Sequence, residues 1–105
     1  MFGVTHVSLG GVILDCDETY ASFLGVPRSD AIGRSVASFT SERGAGGPDA
    51  MINIVIRTGE PMSVRRTFRR PDGSPSSCVF SICLVRDEAG QPHSVVAVGQ
   101  VAPWE

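Results

Sequence analysis

No lysine occurs anywhere in this 105-residue chain; its nine basic residues are all arginine. We read that bias as a mark of genome composition rather than of function. A formal net charge of −2 argues against a polyanionic partner. Histidine is scarce: His6 and His93 lie far apart, and no Cys-x-x-Cys pair joins Cys16, Cys78 and Cys83, so zinc-ligand spacing is missing. Gly44, Gly46 and Gly47 precede no Lys-Ser or Lys-Thr, which removes a phosphate-cradling loop. No apolar run is long enough to cross a bilayer, and no charged-then-apolar leader opens the chain. An odd number of cysteines in apolar strands reads as buried, reduced thiols, which predicts a cytoplasmic protein.

What is present suffices for one domain. The chain is 42% hydrophobic, and at this length it is expected to bury about 60–65% of its unfolded surface. Residues 1–105 are therefore expected to fold as a single unit.

The rest is organised around residues 11–33. An apolar strand over 12–16 runs into Asp17, whose carboxylate suits the N-cap of a helix. Tyr20, Phe23 and Leu24 follow at i, i+3 and i+4, on one helical face. Gly25 stops that helix, since glycine takes the left-handed C′ position without strain. Val26-Pro27 opens a second short turn and Ile32-Gly33 closes it.

Before this stretch, residues 4–9 read as a strand, with Gly10-Gly11 as a two-residue hairpin loop. After it, residues 40–48 form the most glycine-rich segment and are expected to be the most flexible, as a surface loop or a lid over a cavity. The β-branched run Ile52 to Ile56 would suit a strand. Pro48-Asp49 at its start and Gly59 at its end instead predict a helix of about three turns, with Met51, Ile52, Val55 and Ile56 inward and Asn53 and Arg57 on its polar edge. Three antiparallel strands complete the chain, over 62–70, 76–86 and 94–101, divided by the turns Pro71-Asp72-Gly73 and Asp87-Glu88-Ala89-Gly90.

The strand over 76–86 is apolar on both faces. Cys78, Phe80, Ile82 and Leu84 line one, and Val79, Ser81, Cys83 and Val85 the other; residues 95–98 repeat the pattern. Antiparallel sheets usually leave one face polar. One face should pack on the chain's own helices, and the second needs a partner subunit or a flanking segment. Val79, Ser81, Cys83 and Val85 are the candidates for a dimer face.

Chemistry-bearing residues are few. Arg65, Arg66, Arg69 and Arg70 give four cations in six residues, but strand alternation splits them between faces, unlike a nucleic-acid surface. Arg66 shares its face with Val64 and Phe68. An inward arginine must pair with a chain acid, hold a ligand carboxylate or snorkel outward. Asp15 and Asp17 do not form an acid–base pair if Asp17 caps a helix. Cys16 would act as a nucleophile only beside a base, for which His6 on the neighbouring strand is the one candidate.

Gly11, Ile13, Asp17, Ala21, Leu24-Gly25 and Ile32-Gly33, followed by the two hairpin turns, occur in the order and spacing of a PAS domain, and the chain resembles that bacterial sensory family over about residues 4–101. The resemblance implies an α+β fold: a five-stranded antiparallel sheet in the order 2-1-5-4-3, with helices packed on one face. It also implies two cofactor classes that the residues disfavour. Flavin-binding LOV members carry a cysteine after the second glycine stop, and residues 35–47 have none; haem-binding members take an axial histidine from the long helix, and Pro48–Thr58 has none. The family's usual closing Asp-Ile-Thr is absent, since the sequence ends Gly99-Gln-Val-Ala-Pro-Trp-Glu.

The expectation is a sensory and dimerisation module of a bacterial signalling or transcription-regulating protein, without haem or flavin and not itself an enzyme. Its partners would be a second copy, a flanking output domain and a small apolar or acidic ligand, with neither nucleic acid nor membrane. Candidate cavity residues are Phe23, Leu24, Phe39, Met51, Val55, Arg66, Phe68, Phe80 and Ile82, each equally suited to plain core packing. A ligand-free assembly module is the alternative.

Overall fold

Alternating burial on the strands fixes the layers. A computed structural model describes residues 1–103, so the last two residues of the expected 1–105 domain lie outside the described residues. The strands are β1 (Gly3–Ser8), β2 (Ile13–Cys16), β3 (Met62–Arg69), β4 (Pro75–Arg86) and β5 (Pro92–Val101), all pairing antiparallel in the order β2-β1-β5-β4-β3. The first and last strands of the sequence are thus neighbours at the sheet's centre, which places every helix between β2 and β3 in the chain.

Local signals produce those helices. In α1 (Glu18–Leu24) the Asp17 carboxylate accepts from the Tyr20 amide at 2.8 Å, and Gly25 closes the helix at φ +75°. α2 (Arg28–Ala31) is a single turn behind Pro27. In α3 (Pro48–Thr58) proline opens the first turn and Gly59 ends the last at φ +68°. The helical reading of the β-branched run is therefore correct, because proline in the first turn, the Gly59 stop and burial of Ile52 and Val55 on one face outweigh strand propensity.

The core lies between the sheet and these helices. It contains Ile13, Leu24, Val55, Phe68 and Cys78 at 1% exposure or less, and each large apolar side chain buried there is worth about 1.5–3 kcal/mol. Tyr20, Phe68 and Phe80 pack edge to face or tilted at its centre, with ring centroids 5.8–6.0 Å apart.

Two expectations need revision. Cys16 and Cys78 are buried thiols outside any disulfide, but Cys83 is exposed on the outer face. The glycine-rich segment is not featureless: Gly44–Gly46 forms a 3-10 turn, and Arg43 donates to the carbonyls of Thr40 at 2.7 Å and Ala37 at 3.1 Å. Guanidinium anchors supply the order that the glycines lack.

Candidate functional site

Between α3 and the inner face of the sheet lies a cavity of about 60 Å³, several times the roughly 10–15 Å³ that one water requires. Pro48, Met51 and Ile52 of α3 form one wall, and Val64, Arg66 and Phe68 of β3 with Phe80 and Ile82 of β4 form another. The central strands supply Thr5, Val7, Val95 and Ala97, while Tyr20 and Val36 complete the lining.

Five of the expected cavity residues meet there: Met51, Arg66, Phe68, Phe80 and Ile82. The other four are buried outside the lining. Phe23 packs on Tyr20 and Phe80, with centroids 6.3 Å from each. Phe39 lies under the Arg34 guanidinium, 4.2 Å from its ring centroid. Leu24 and Val55 are sealed in the core at 0% exposure. Sequence reasoning left out Tyr20, Val36, Pro48, Ile52 and Val64, and it missed Thr5, Val7, Val95 and Ala97 although the strand order was itself the signal, since it seats β1 and β5 at mid-sheet.

Arg66 is the cation of this lining and only 5% exposed. Its Nη1 donates to Glu42 Oε1 at 3.0 Å and to the Gly46 carbonyl at 2.7 Å. The same Glu42 oxygen accepts from Thr40 Oγ1 at 3.0 Å and from the Thr67 amide at 3.3 Å. The inward arginine is thus paired with a chain acid and fastens the glycine-rich loop over the β3 side of the cavity. Tyr20 also lines the cavity, packed on Phe68, and burial pushes its phenol well above the ordinary tyrosine range. The hydroxyl therefore stays neutral at working pH.

The outer face of the sheet is a separate surface. Val4, Leu14 and Val98 are 40%, 43% and 38% exposed there, beside the half-buried Val79, Val85 and Val96. Of the dimer-face candidates, Val79 and Val85 are half-buried, and Ser81 and Cys83 exposed. Arg65 and Arg69 flank the strip from β3, so the alternation that turns Arg66 inward turns them outward. At the far side His6 Nε2 and His93 Nδ1 both meet the Ser94 hydroxyl, and Ser94 is fully buried beneath the two rings.

No nucleophile–base pair forms at Cys16. Cys16 pairs with Thr5 and is buried, whereas His6 pairs with Asp15 and turns to Ser94 on the outer face. Burial pushes the Cys16 thiol up from its ordinary value, against an opposing pull from Arg28. Asp17 is the helix cap, and Asp15 pairs with Arg28, whose hydrogen bond holds its carboxyl below the usual range. Among the described residues no group of three potential metal ligands converges, and no helix is long and apolar enough to cross a membrane.

The family model described as the PAS fold matches residues 2–102. A search of curated proteins gave no match. Among solved structures, the PAS domain of an HTR-like protein from Haloarcula marismortui is 19% identical and superposes with a TM-score of 0.79, covering 96% of this chain and 81% of that one. The PAS-B domain of Drosophila melanogaster Cycle, with bound ethylene glycol, is 16% identical at a TM-score of 0.81, covering 97% and 100%. The VqmA dimer of Vibrio cholerae, a LuxR-type receptor, is 21% identical at a TM-score of 0.70, with 97% of this chain matched to 46% of that one.

Proposed function

The chain belongs to the PAS family, sensory modules of signalling and regulatory proteins, and on that premise we propose that it senses a small molecule in the cavity beneath α3 and acts as a homodimer joined through the outer face of its sheet. The observation that carries this reading is the cavity itself. It is apolar in most of its lining, yet that lining also includes Arg66, Thr5 and Tyr20, the mixture of grease and few polar groups that small-molecule sites use. The dimer is supported by the strip of Val4, Leu14 and Val98, since apolar patches rimmed by polar residues mark interaction surfaces.

In this reading the ligand favours one of two packings of the sheet against its partner copy, and the signal is as large as the difference in affinity between them. The module works without haem or flavin: α3 turns Met51 and Ile52, not an imidazole, towards the sheet. We place it in the cytoplasm of a bacterium, beside an output domain in a signalling or transcription-regulating protein. A solved relative supports that arrangement, for VqmA is described as a dimer that has a target DNA and as bound to DPO, and this chain spans about half its length. The role is sensory rather than catalytic, which suits the placement of Cys16 and His6 on opposite faces.

Native mass spectrometry after gentle purification, paired with a thermal-shift screen of small molecules, tests the ligand. A bound mass, or a compound that raises the melting temperature saturably, is the expected result. Neither would leave the ligand-free assembly module as the function.

A further inference from the structure

Arginine carries five N–H donors in a rigid plane. Arg66 uses those of Nη1 on Glu42 and Gly46. Its Nε and Nη2 have no hydrogen-bond partner among the described residues, although the side chain is 5% exposed. Neither nitrogen is sealed by packed protein, because every fully enclosed side-chain nitrogen or oxygen has a partner. The guanidinium edge opposite its ion pair is therefore held in a buried setting, at the wall of an apolar cavity, with donors to spare. Such a donor is satisfied by water until a ligand acceptor displaces that water and takes over its hydrogen bond.

We propose that the Nε–Nη2 edge of Arg66 is a carboxylate subsite and that the ligand of the cavity is a short-chain aliphatic monocarboxylate. This rests on the reading of the cavity as a ligand site and names the chemical class that the site selects. Two parallel N–H donors match the two oxygens of a carboxylate, and Phe68, Phe80, Ile82 and Val95 offer the alkyl tail an apolar wall. Size and charge narrow the class. A volume of about 60 Å³ suits an acid of about two to four carbons. Glu42 already offsets the single charge of the guanidinium, so a bound monocarboxylate leaves the site with one net negative charge and a dicarboxylate with two, which favours the monoanion. The neutral phenol of Tyr20 adds no competing charge to the lining.

The test is a titration of the ¹⁵N-labelled protein, at fixed ionic strength, with acetate, propionate and butyrate and with the neutral analogues propionamide and butanol. Expected are saturable shifts at the amides of Thr5, Arg66 and Phe68 for the acids, with the neutral compounds at least about tenfold weaker. Arg66→Gln is expected to remove that preference, and Arg66→Lys to restore part of it. Should Arg66→Gln fail to fold, Glu42→Gln decides: losing the neighbouring negative charge should tighten acid binding, and unchanged or weaker binding overturns the subsite. Neutral analogues that bind as well as the acids also overturn it, while leaving the cavity a ligand site. If no acid and no neutral analogue binds, the subsite fails, and the broader ligand reading stands or falls on the native mass spectrum and the thermal-shift screen.

Discussion

Phe80 and Gly99 face each other across the β4–β5 ladder, with the ring laid over the bare glycine backbone. A Cβ at Gly99 would run into both the Phe80 ring and the Val79 carbonyl. Tyr20, Phe23 and Phe68 pack against the same ring, which limits how far it can move aside.

Gly99→Ala tests this contact through its sign. In an open strand that substitution stabilises by about 0.4–1 kcal/mol, chiefly by restricting the unfolded chain. Here we expect a loss of about 1–3 kcal/mol from overpacking, read as a lower denaturant midpoint. An unchanged or raised midpoint would show that the ring is free to move aside.

Val98→Arg tests the association surface. Val98 stands in the centre of the exposed strip and pairs with Val4 across the β1–β5 ladder. Sedimentation velocity is expected to find a dimer for the wild type and a monomer for the variant, with unchanged circular dichroism. A wild-type monomer at high concentration refutes the homodimer.

Asp17→Ala should cost about 1 kcal/mol by freeing the first-turn amide that the carboxylate now satisfies. In a domain of this size that lowers the melting temperature by about 4–8 °C. Asp17→Ser, which keeps a capping oxygen, should recover most of the loss.

Thiol chemistry should separate the cysteines. Iodoacetamide is expected to label exposed Cys83 first, with Cys16 and Cys78 protected until the protein opens. Burial raises the Cys16 thiol above its ordinary 9.0. Its contribution to stability is therefore fully present below that value and declines as pH rises through the folded one. Cys16→Ser should flatten the fall in melting temperature on the alkaline side; an unaltered profile would count against the shift.

Asp15 behaves in the opposite sense. The Arg28 hydrogen bond holds its carboxyl below the ordinary 3.8, so its contribution is present above that value and is lost as pH falls through the folded one. Both side chains are largely exposed, so the effect on stability is small. The clear readout is the Asp15 titration by NMR, whose midpoint should rise towards the ordinary range in Arg28→Ala.

The sequence was most legible where a single residue decides a local outcome. Asp17, Gly25 and Gly59 marked helix ends, and the period of two in 76–86 sorted Phe80 from Val79. The cavity was less legible. Helical spacing shows that Phe23, Leu24 and Val55 point inward, but not whether each meets a void or a neighbour, which depends on the tilt of α3 over the sheet. The fixing of the 40–48 loop could not be read at all, because Glu42 and Arg66 belong to separate segments whose meeting depends on the whole fold.

Ser94 shows what a shared oxygen entails. A hydroxyl owns one hydrogen, while two imidazole nitrogens converge on this one. At most one ring can be an acceptor at any instant, so at least one must turn an N–H towards the serine. The tautomers of His6 and His93, residues at opposite ends of the chain, are therefore interlocked through an atom that belongs to neither.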